Sequence, residues 1–302
     1  MKRVSLTSNV FHLQSGSNMG LVLRDGRALL IDTGLDGDSG RRALRILEER
    51  ETRLEAVIVT HAHADHFGGA HFLQRRLEVP LYAPDLEAAM MENPIIEPLY
   101  LFAGAAPIRE LRHKFTLAEP CEVDRTVDPG PLRIGPFQLD IVPLPGHALN
   151  QVGVAVEDGG EQVLFCADAV FPDETIRKHK VLFCVDLDET LRTIKALRDQ
   201  PYDHFAPGHG PPYTAGPAIE AICDANRDRL EAIRDVVYEA LERPCETSAL
   251  VQHVADIFAL RITTPTAYFL TRTTILAALS SLEKASQAAA VTDANKLMWE
   301  RE

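Results

Sequence analysis

No apolar run in this chain approaches the ~20 consecutive residues that a membrane-spanning helix needs. The opening segment Met1-Lys2-Arg3-Val4-Ser5-Leu6-Thr7-Ser8-Asn9 leads into no continuous apolar stretch, so no secretory leader is expected. Cysteine is sparse and odd in number: Cys121, Cys166, Cys184, Cys223 and Cys245, with no Cys-x-x-Cys among them. That set fits reduced thiols in a cytoplasmic protein better than a disulfide framework. A basic excess is also missing, since 31 Lys and Arg face 44 Asp and Glu for a formal charge of −13. Residues 1–214 carry 22 basic and 31 acidic side chains (net −9), and residues 215–302 carry 9 and 13 (net −4). Neither stretch offers a basic surface, so nucleic acid is disfavoured as a partner, as is a membrane. There is no short repeat, no low-complexity linker, and no Gly-x-Ser-x-Gly, P-loop or Gly-x-Gly-x-x-Gly.

What the chain does have is an ordinary globular composition, 46% hydrophobic and 25% charged over 302 residues. Its length exceeds the roughly 250 residues at which single cores stop growing, which argues for one large domain and a small appendage. Strands and helices alternate early. Leu21–Arg24 and Ala28–Ile31 flank Asp25-Gly26-Arg27, a hairpin signal. Arg41–Glu51 is predicted as an amphipathic helix and Leu54–Thr60 as a short buried strand. A helix is predicted over Phe67–Leu77 and a strand over Pro80–Ala83. Residues 85–127 break the rhythm with Met, Pro, aromatic and basic residues, and read as a long irregular insertion forming a lid or pocket wall. Strands return at Phe137–Val142, Gln151–Val156, Gln162–Phe165 and Tyr202–Phe205, with a helix at Leu187–Arg198. From Ala215 onward the pattern is helical, with Pro265 suited to a first helical turn. The predicted division is therefore 1–214 for a hydrolase-like α/β (α+β) domain and 215–302 for a helical C-terminal domain.

A His-x-His pair alone is a weak signal among eleven histidines. Here the segment is His61-x-His63-x-Asp65-His66, placed where a buried strand gives way to a helix. Alternate residues of an extended chain face one side, so His61 and His63 can converge, and Asp65 and His66 then face a neighbouring point. Three more ligand types lie at or just past strand ends: His147 in Pro145-Gly146-His147, Asp168 in Phe165-Cys166-Ala167-Asp168, and His209 in Pro207-Gly208-His209-Gly210. Five imidazoles and two carboxylates could hold two divalent ions. Zinc is favoured, with manganese or iron as alternatives, because imidazole suits these metals and an all-oxygen set would suit magnesium or calcium.

These residues resemble the metallo-β-lactamase superfamily, over roughly residues 4–214. The H-x-H-x-D-H core is followed by single His, Asp and His at intervals of 81, 21 and 41 residues, and Asp32-Thr33-Gly34 follows an apolar strand. The resemblance implies a four-layer αββα sandwich. It implies one metal on His61, His63 and His147, a second on Asp65, His66 and His209, and Asp168 bridging both, with Asp32 steadying the histidine loop from behind. Asp65 and Asp168 are the residues it implies for catalysis. Asp168 stands where many β-lactamases have a Cys ligand, and Ala148-Leu149-Asn150 replaces a commoner Thr-Pro-Gly turn. His63 occupies the place that flavin-linked di-iron relatives give to Glu, and no nuclease-type domain is inserted between Asp168 and His209. The closest likeness is to the glyoxalase-II-like branch. The implied activity is a binuclear hydrolase in which a metal-bridging hydroxide, formed as the pKa of bound water falls from 15.7 to roughly 7, attacks a small thioester, lactone or similar bond. Two other activities are carried as alternatives, a metal-dependent nuclease or phosphodiesterase and a mononuclear-iron sulfur dioxygenase.

Tyr213, Tyr100 and Phe102 are candidates for the substrate pocket, Tyr213 foremost because it follows the His209 turn. His12, His71, His113, His179, His204 and His253 read as structural, and Arg109, Arg112 and Lys114 as a solvated face. The C-terminal helices resemble the winged-helix-like appendage of some superfamily hydrolases. Their acidity favours packing on the hydrolase core or homodimerisation over contact with nucleic acid.

Overall fold

The computed structural model describes all 302 residues. Its first half is a seven-stranded sheet in sequential order: β1 (Lys2–Ser5), β2 (Val10–Gln14), β3 (Met19–Arg24), β4 (Arg27–Ile31), β5 (Arg53–Ile58), β6 (Leu81–Ala83) and β7 (Arg125–Thr126). Pairing is antiparallel as far as β4 and parallel thereafter, so helices must carry the chain back across one face. Helix α1 (Gly37–Glu49) makes the first return, started by Asp36, whose side chain accepts the Ser39 N–H. Helices α2 (Ala64–Phe67) and α3 (Ala70–Leu77) make the second. The segment 85–127 is more regular than its composition suggests. It holds α4 (Asp85–Glu92), α5 (Ile96–Leu101), a 3-10 turn at Arg109–Leu111 and β7.

The second sheet has six strands in the order β13-β12-β11-β10-β9-β8. These are β8 (Gly130–Ile134), β9 (Phe137–Pro143), β10 (Val152–Asp158), β11 (Glu161–Ala167), β12 (His204–Pro207) and β13 (Tyr213–Thr214). Only β11 and β12 run parallel, joined through α6 (Asp173–His179) and α7 (Leu187–Arg198). The chain continues as α8 (Pro217–Ala240), α9 (Thr247–Ile257) and α10 (Pro265–Lys284), then closes in a hairpin, β14 (Ala288–Asp293) and β15 (Lys296–Arg301). The hairpin corrects the wholly helical reading of the chain beyond Ala215.

Period-two alternation sorts side chains between the layers. Val22, Leu29, Ile31 and Ile58 of the first sheet face Phe137, Ile141, Val154 and Phe165 of the second in a core between the sheets. Their neighbours Leu21, Leu30 and Val57 face outward into a core closed by Leu47 of α1 and Leu73 of α3. Leu164 and Phe205, on the outer face of the second sheet, share a third core with Ile194 of α7, Ile222 and Leu230 of α8, and Ile275 and Leu279 of α10. The order helix, sheet, sheet, helix is thus set by which strand faces are apolar on both sides.

One buried histidine ties the two halves together. His12 of β2 is 1% exposed and its Nε2–H donates to Pro207 O at 3.0 Å, while Nδ1 has no partner. Burial holds its pKa down to about 4, against the pull of the Pro207 carbonyl. The folded state therefore prefers the neutral ring, and the stability it confers is complete above the ordinary pKa of 6.5 and lost as pH falls toward 4. In urea unfolding, wild type is expected to weaken over this window by up to about 3 kcal/mol more than His12→Gln. Parallel pH profiles for the two proteins would contradict the assignment.

Candidate metal centre

The site lies at one edge of the two sheets, where strand ends and the loops after them converge. β5 ends at Ile58, and Val59 and Thr60 carry the chain to His61 and His63; α2 then turns Asp65 and His66 to the neighbouring position. Helix α2 starts three residues before the helix predicted at Phe67, so Asp65 and His66 are helical. Gly68 is required there, because a Cβ at this position would meet Leu35 O at 1.9 Å. On the second sheet, β11 passes through Ala167 in the left-handed conformation (φ 48°), with a register shift against β12, before Asp168. His147 and His209 sit in the loops after β9 and β12.

The structure brings the ligand atoms of all seven residues into three overlapping groups: His61, His63 and His147; His61, His66 and Asp168; and Asp65, His66 and His209. Within each group the atoms lie within 4.8 Å of one another. His63 Nδ1 and His147 Nε2 are 2.9 Å apart. Asp168 spans the halves, with Oδ1 3.4 Å from His66 Nε2, and Oδ2 3.4 Å from His147 Nε2 and 3.3 Å from His209 Nε2. Asp65 Oδ2 is 3.4 Å from His209 Nε2.

What stands behind these rings fixes which nitrogen points inward. Asp32 Oδ1 accepts the Thr60 N–H at 2.8 Å, and Oδ2 accepts the Thr60 hydroxyl at 2.9 Å and His66 Nδ1–H at 2.9 Å. With its proton so committed, Thr60 Oγ1 can only accept from His61 Nδ1–H, at 3.1 Å. His147 Nδ1–H donates to Phe183 O at 3.1 Å and His209 Nδ1–H to Gly16 O at 2.8 Å. Four imidazoles are thereby held with Nδ1 protonated and Nε2 aimed into one space. His61 Nε2, His66 Nε2 and Asp168 Oδ1 are buried there with no hydrogen-bond partner. Buried polar atoms without partners are rare and need an explanation. A bound cation is the explanation this donor set fits, because imidazole and carboxylate are hard-to-borderline ligands suited to zinc, iron or manganese.

The electrostatics divide in the same way. Burial, reinforced by neighbouring imidazoles, holds His61 well below the usual histidine value and His63 down to about 3. Burial also lowers His147. In the carboxylate-rich half burial opposes charge but loses. Asp168, Asp65 and Asp32 push His66 well up, and Asp168 and Asp65 push His209 up to about 10. The same attractions hold Asp65 and Asp168 below the ordinary carboxylate range against the cost of burial. One half thus offers neutral lone pairs, and the other demands positive charge.

A cavity of about 1430 Å³ opens onto the site, lined in part by Phe171, Phe183, Tyr213 and Leu270. Tyr100 is half-buried behind the site, its hydroxyl 3.5 Å from His63 Nε2. Phe102 does not reach the cavity. Its ring packs edge-on against Phe269 at 5.3 Å, because α5 turns it toward α10, and this corrects its assignment to the pocket. His71 donates to Pro120 O, His113 pairs with Thr266 Oγ1 and His204 with Glu161, all away from the ligand groups. His179, by contrast, lines the cavity.

Four contributors escape a reading of the sequence. Ser17 Oγ–H donates to Asp65 Oδ2 at 2.6 Å. A Cβ on Gly208 would come within 2.1 Å of Asp168 Oδ1, so the residue before His209 must be glycine. Glu87 and Glu97 are buried at 1% and 6% exposure behind the histidine segment. No residue-type spacing marks any of the four; Pro-Gly-His alone hints at Gly208.

The Metallo-beta-lactamase superfamily model matches residues 13–209 of this chain. Among curated proteins, the chain is 24% identical over 156 residues to the probable metallo-hydrolase YqgX of Bacillus subtilis, covering 51% of this chain and 66% of that protein. It is 29% identical over 146 residues to a hydroxyacylglutathione hydrolase of Hahella chejuensis, covering 48% and 44%. It is also 35% identical over 83 residues to the exodeoxyribonuclease YycJ of Bacillus anthracis, covering 27% and 31%. Each match thus spans less than two thirds of the relative's own length. Among solved structures, a beta-lactamase domain protein from Burkholderia ambifaria superposes over 100% of this chain and 94% of its own, with a TM-score of 0.77 at 20% identity, a likeness of fold. With the family model covering about two thirds of its length and its sheets and helices layered as that fold requires, the chain belongs to the metallo-β-lactamase superfamily.

Proposed function

We propose that this protein is a binuclear hydrolase, with zinc as the native metal, acting on a small ester-like substrate such as a thioester or lactone. The observation that carries this reading is the convergence of unpartnered His61 Nε2, His66 Nε2 and Asp168 Oδ1 between two groups of ligand atoms. In the proposed site His61, His63 and His147 hold one ion, Asp65, His66 and His209 hold the other, and Asp168 serves both. When bound, such ions lower the pKa of water toward about 7 and polarise a carbonyl oxygen. The chain's own part is to fix the ring tautomers, with Nδ1–H held from behind and Nε2 aimed inward, through Asp32, Thr60 and the Phe183 and Gly16 carbonyls. Asp65 and Asp168 supply two negative charges, so the loaded centre keeps a positive excess for a developing oxyanion. Phe171 and Phe183, packed against His147, shield it from bulk water.

The cavity supports a small substrate over a polyanion. Apart from Asp65 and Asp168, which the ions would take, five Asp or Glu side chains line it against four Lys or Arg, and one of those four, Lys114, is paired with Asp36 at 3.1 Å. A phosphodiester backbone needs cationic neighbours at many contacts, which this lining does not supply. The test is a panel of thioesters, lactones, phosphodiesters and β-lactams offered to zinc-loaded protein, with elemental analysis of the same sample. Near two metals per chain and turnover of the ester-like members, lost on chelation and regained with zinc, is the expected result. Undiminished turnover in metal-free protein would overturn the reading. Cleavage confined to phosphodiesters would replace it with a nuclease, and one iron per chain with oxygen consumption would replace it with a dioxygenase.

A further inference from the structure

The segment 85–127 reads in sequence as a lid, yet its two helices reach the back of the ligand segment. Ala62 and Ala64 alternate with His61, His63 and Asp65, and residues 61–63 belong to no strand or helix, so their amides lack a ladder. Glu87 of α4 extends Oε2 to the Ala62 N–H at 2.8 Å. Its other oxygen, Oε1, accepts the Asn150 N–H at 2.9 Å, three residues past His147. Glu97 of α5 is buried under the same segment, near Ala64. The exposure along α4 is inverted relative to polarity: Glu87 is 1% exposed while Leu86 beside it is 50% exposed. A carboxylate taken out of water at the expense of a leucine left in it needs a compensating role. Two charge-assisted hydrogen bonds to different loops supply one.

We propose that Glu87 is a positioning residue for the three-histidine half of the site, a tie that sets the distance between the segment carrying His61 and His63 and the loop carrying His147. This rests on the metal-centre reading above. Glu97 lies under only the first of these segments; Glu87 is the side chain that joins the two, beside the backbone bond from Val152 N–H to Thr60 O at 3.1 Å. The tie bears on function because His63 and His147 come from opposite sheets, and their inward nitrogens must converge on one point. Glutamine in its place keeps the shape, but its oxygen accepts from one amide while its NH2 opposes the other. Aspartate is too short to span both.

The experiment measures Co2+ affinity by calorimetry in two backgrounds: His209→Ala, which leaves the three-histidine half, and His147→Ala, which leaves the other. Glu87→Gln is expected to weaken binding 10–100-fold in the first background, in line with partners that orient ligands, and to leave binding in the second unchanged. Asp158→Asn is the control. Asp158 is also a buried carboxylate holding a loop, through Thr7 and Asn9, but lies far from the site in the fold. It is expected to lower stability while leaving both affinities alone. Should Glu87→Gln fail to fold, Glu87→Asp is read the same way. Equal affinities with and without the Glu87 substitution in the first background would overturn the proposal, as would loss of affinity in both backgrounds together. Wild type binding fewer than two Co2+ would overturn the metal reading itself, a separate result.

Discussion

Asp168→Asn is expected to abolish hydrolysis while leaving the fold in place. Asp168 is the one side chain whose oxygens approach both halves of the site, within 3.4 Å of His66, His147 and His209 nitrogens. Asparagine has the same shape and keeps one acceptor oxygen, so packing against Gly208 survives. What goes is a buried negative charge that, in the proposed site, would face two dications. With Asp65 as the remaining carboxylate ligand, the repulsion between ions is met by one negative charge instead of two, and at low internal dielectric that difference is decisive. Turnover is expected to fall by roughly 10³-fold or more, at or beyond the upper end of losing a single transition-state hydrogen bond. Metal content should fall in the same sample. Asparagine protein with wild-type turnover and two bound metals would contradict the bridging role.

Asp32→Ala is expected to have the largest effect on stability. Its carboxylate is the shared acceptor for three buried donors, Thr60 N–H, Thr60 Oγ–H and His66 Nδ1–H. Each buried donor left without a partner costs about 1–3 kcal/mol. Asp32 also sits at φ 58°, a left-handed conformation that Asp and Asn tolerate better than Ala, which adds about 1–2 kcal/mol. A loss on the order of 5 kcal/mol in urea unfolding follows, enough to threaten a domain of ordinary stability. Asp32→Asn keeps the backbone preference and part of the acceptor capacity. It is expected to fold, but to bind metal 10–100-fold more weakly because His66 loses the anion that fixes its tautomer. If Asp32→Ala unfolds at the same urea concentration as wild type, the three hydrogen bonds are not the support described.

How much of this is legible in the sequence depends on whether the signal is local. The β3–β4 hairpin is announced by Asp25-Gly26, both at positive φ, and α1 by its apolar stripe. The β14–β15 hairpin is not announced. Its turn places Ala294 and Asn295 at φ 46° and 64°, where Asn-Gly would be the recognisable pair. Ala288-Ala289-Ala290 has the propensity of a helix, and only pairing with Trp299 and its neighbours makes it a strand. In the site, residue type and position at strand ends point to the seven ligand-type residues, because metal chemistry restricts the choice to His, Asp, Glu and Cys. The supports depend on non-local geometry. Glu87 looks like any solvated helix acid until β6 and α4 carry it beneath Ala62, and Ser17 gains meaning only when the β2–β3 loop lies against Asp65. Phe102 shows the converse failure, an aromatic close in sequence to Tyr100 but turned to a different neighbour.

The central claim is that two cations share this site, and anomalous diffraction from zinc-loaded crystals tests it most directly. Two peaks are expected at the zinc edge, one among His61, His63 and His147 and one among Asp65, His66 and His209, with Asp168 contacting both. A single peak, or density on other residues with these seven side chains bare, would contradict it.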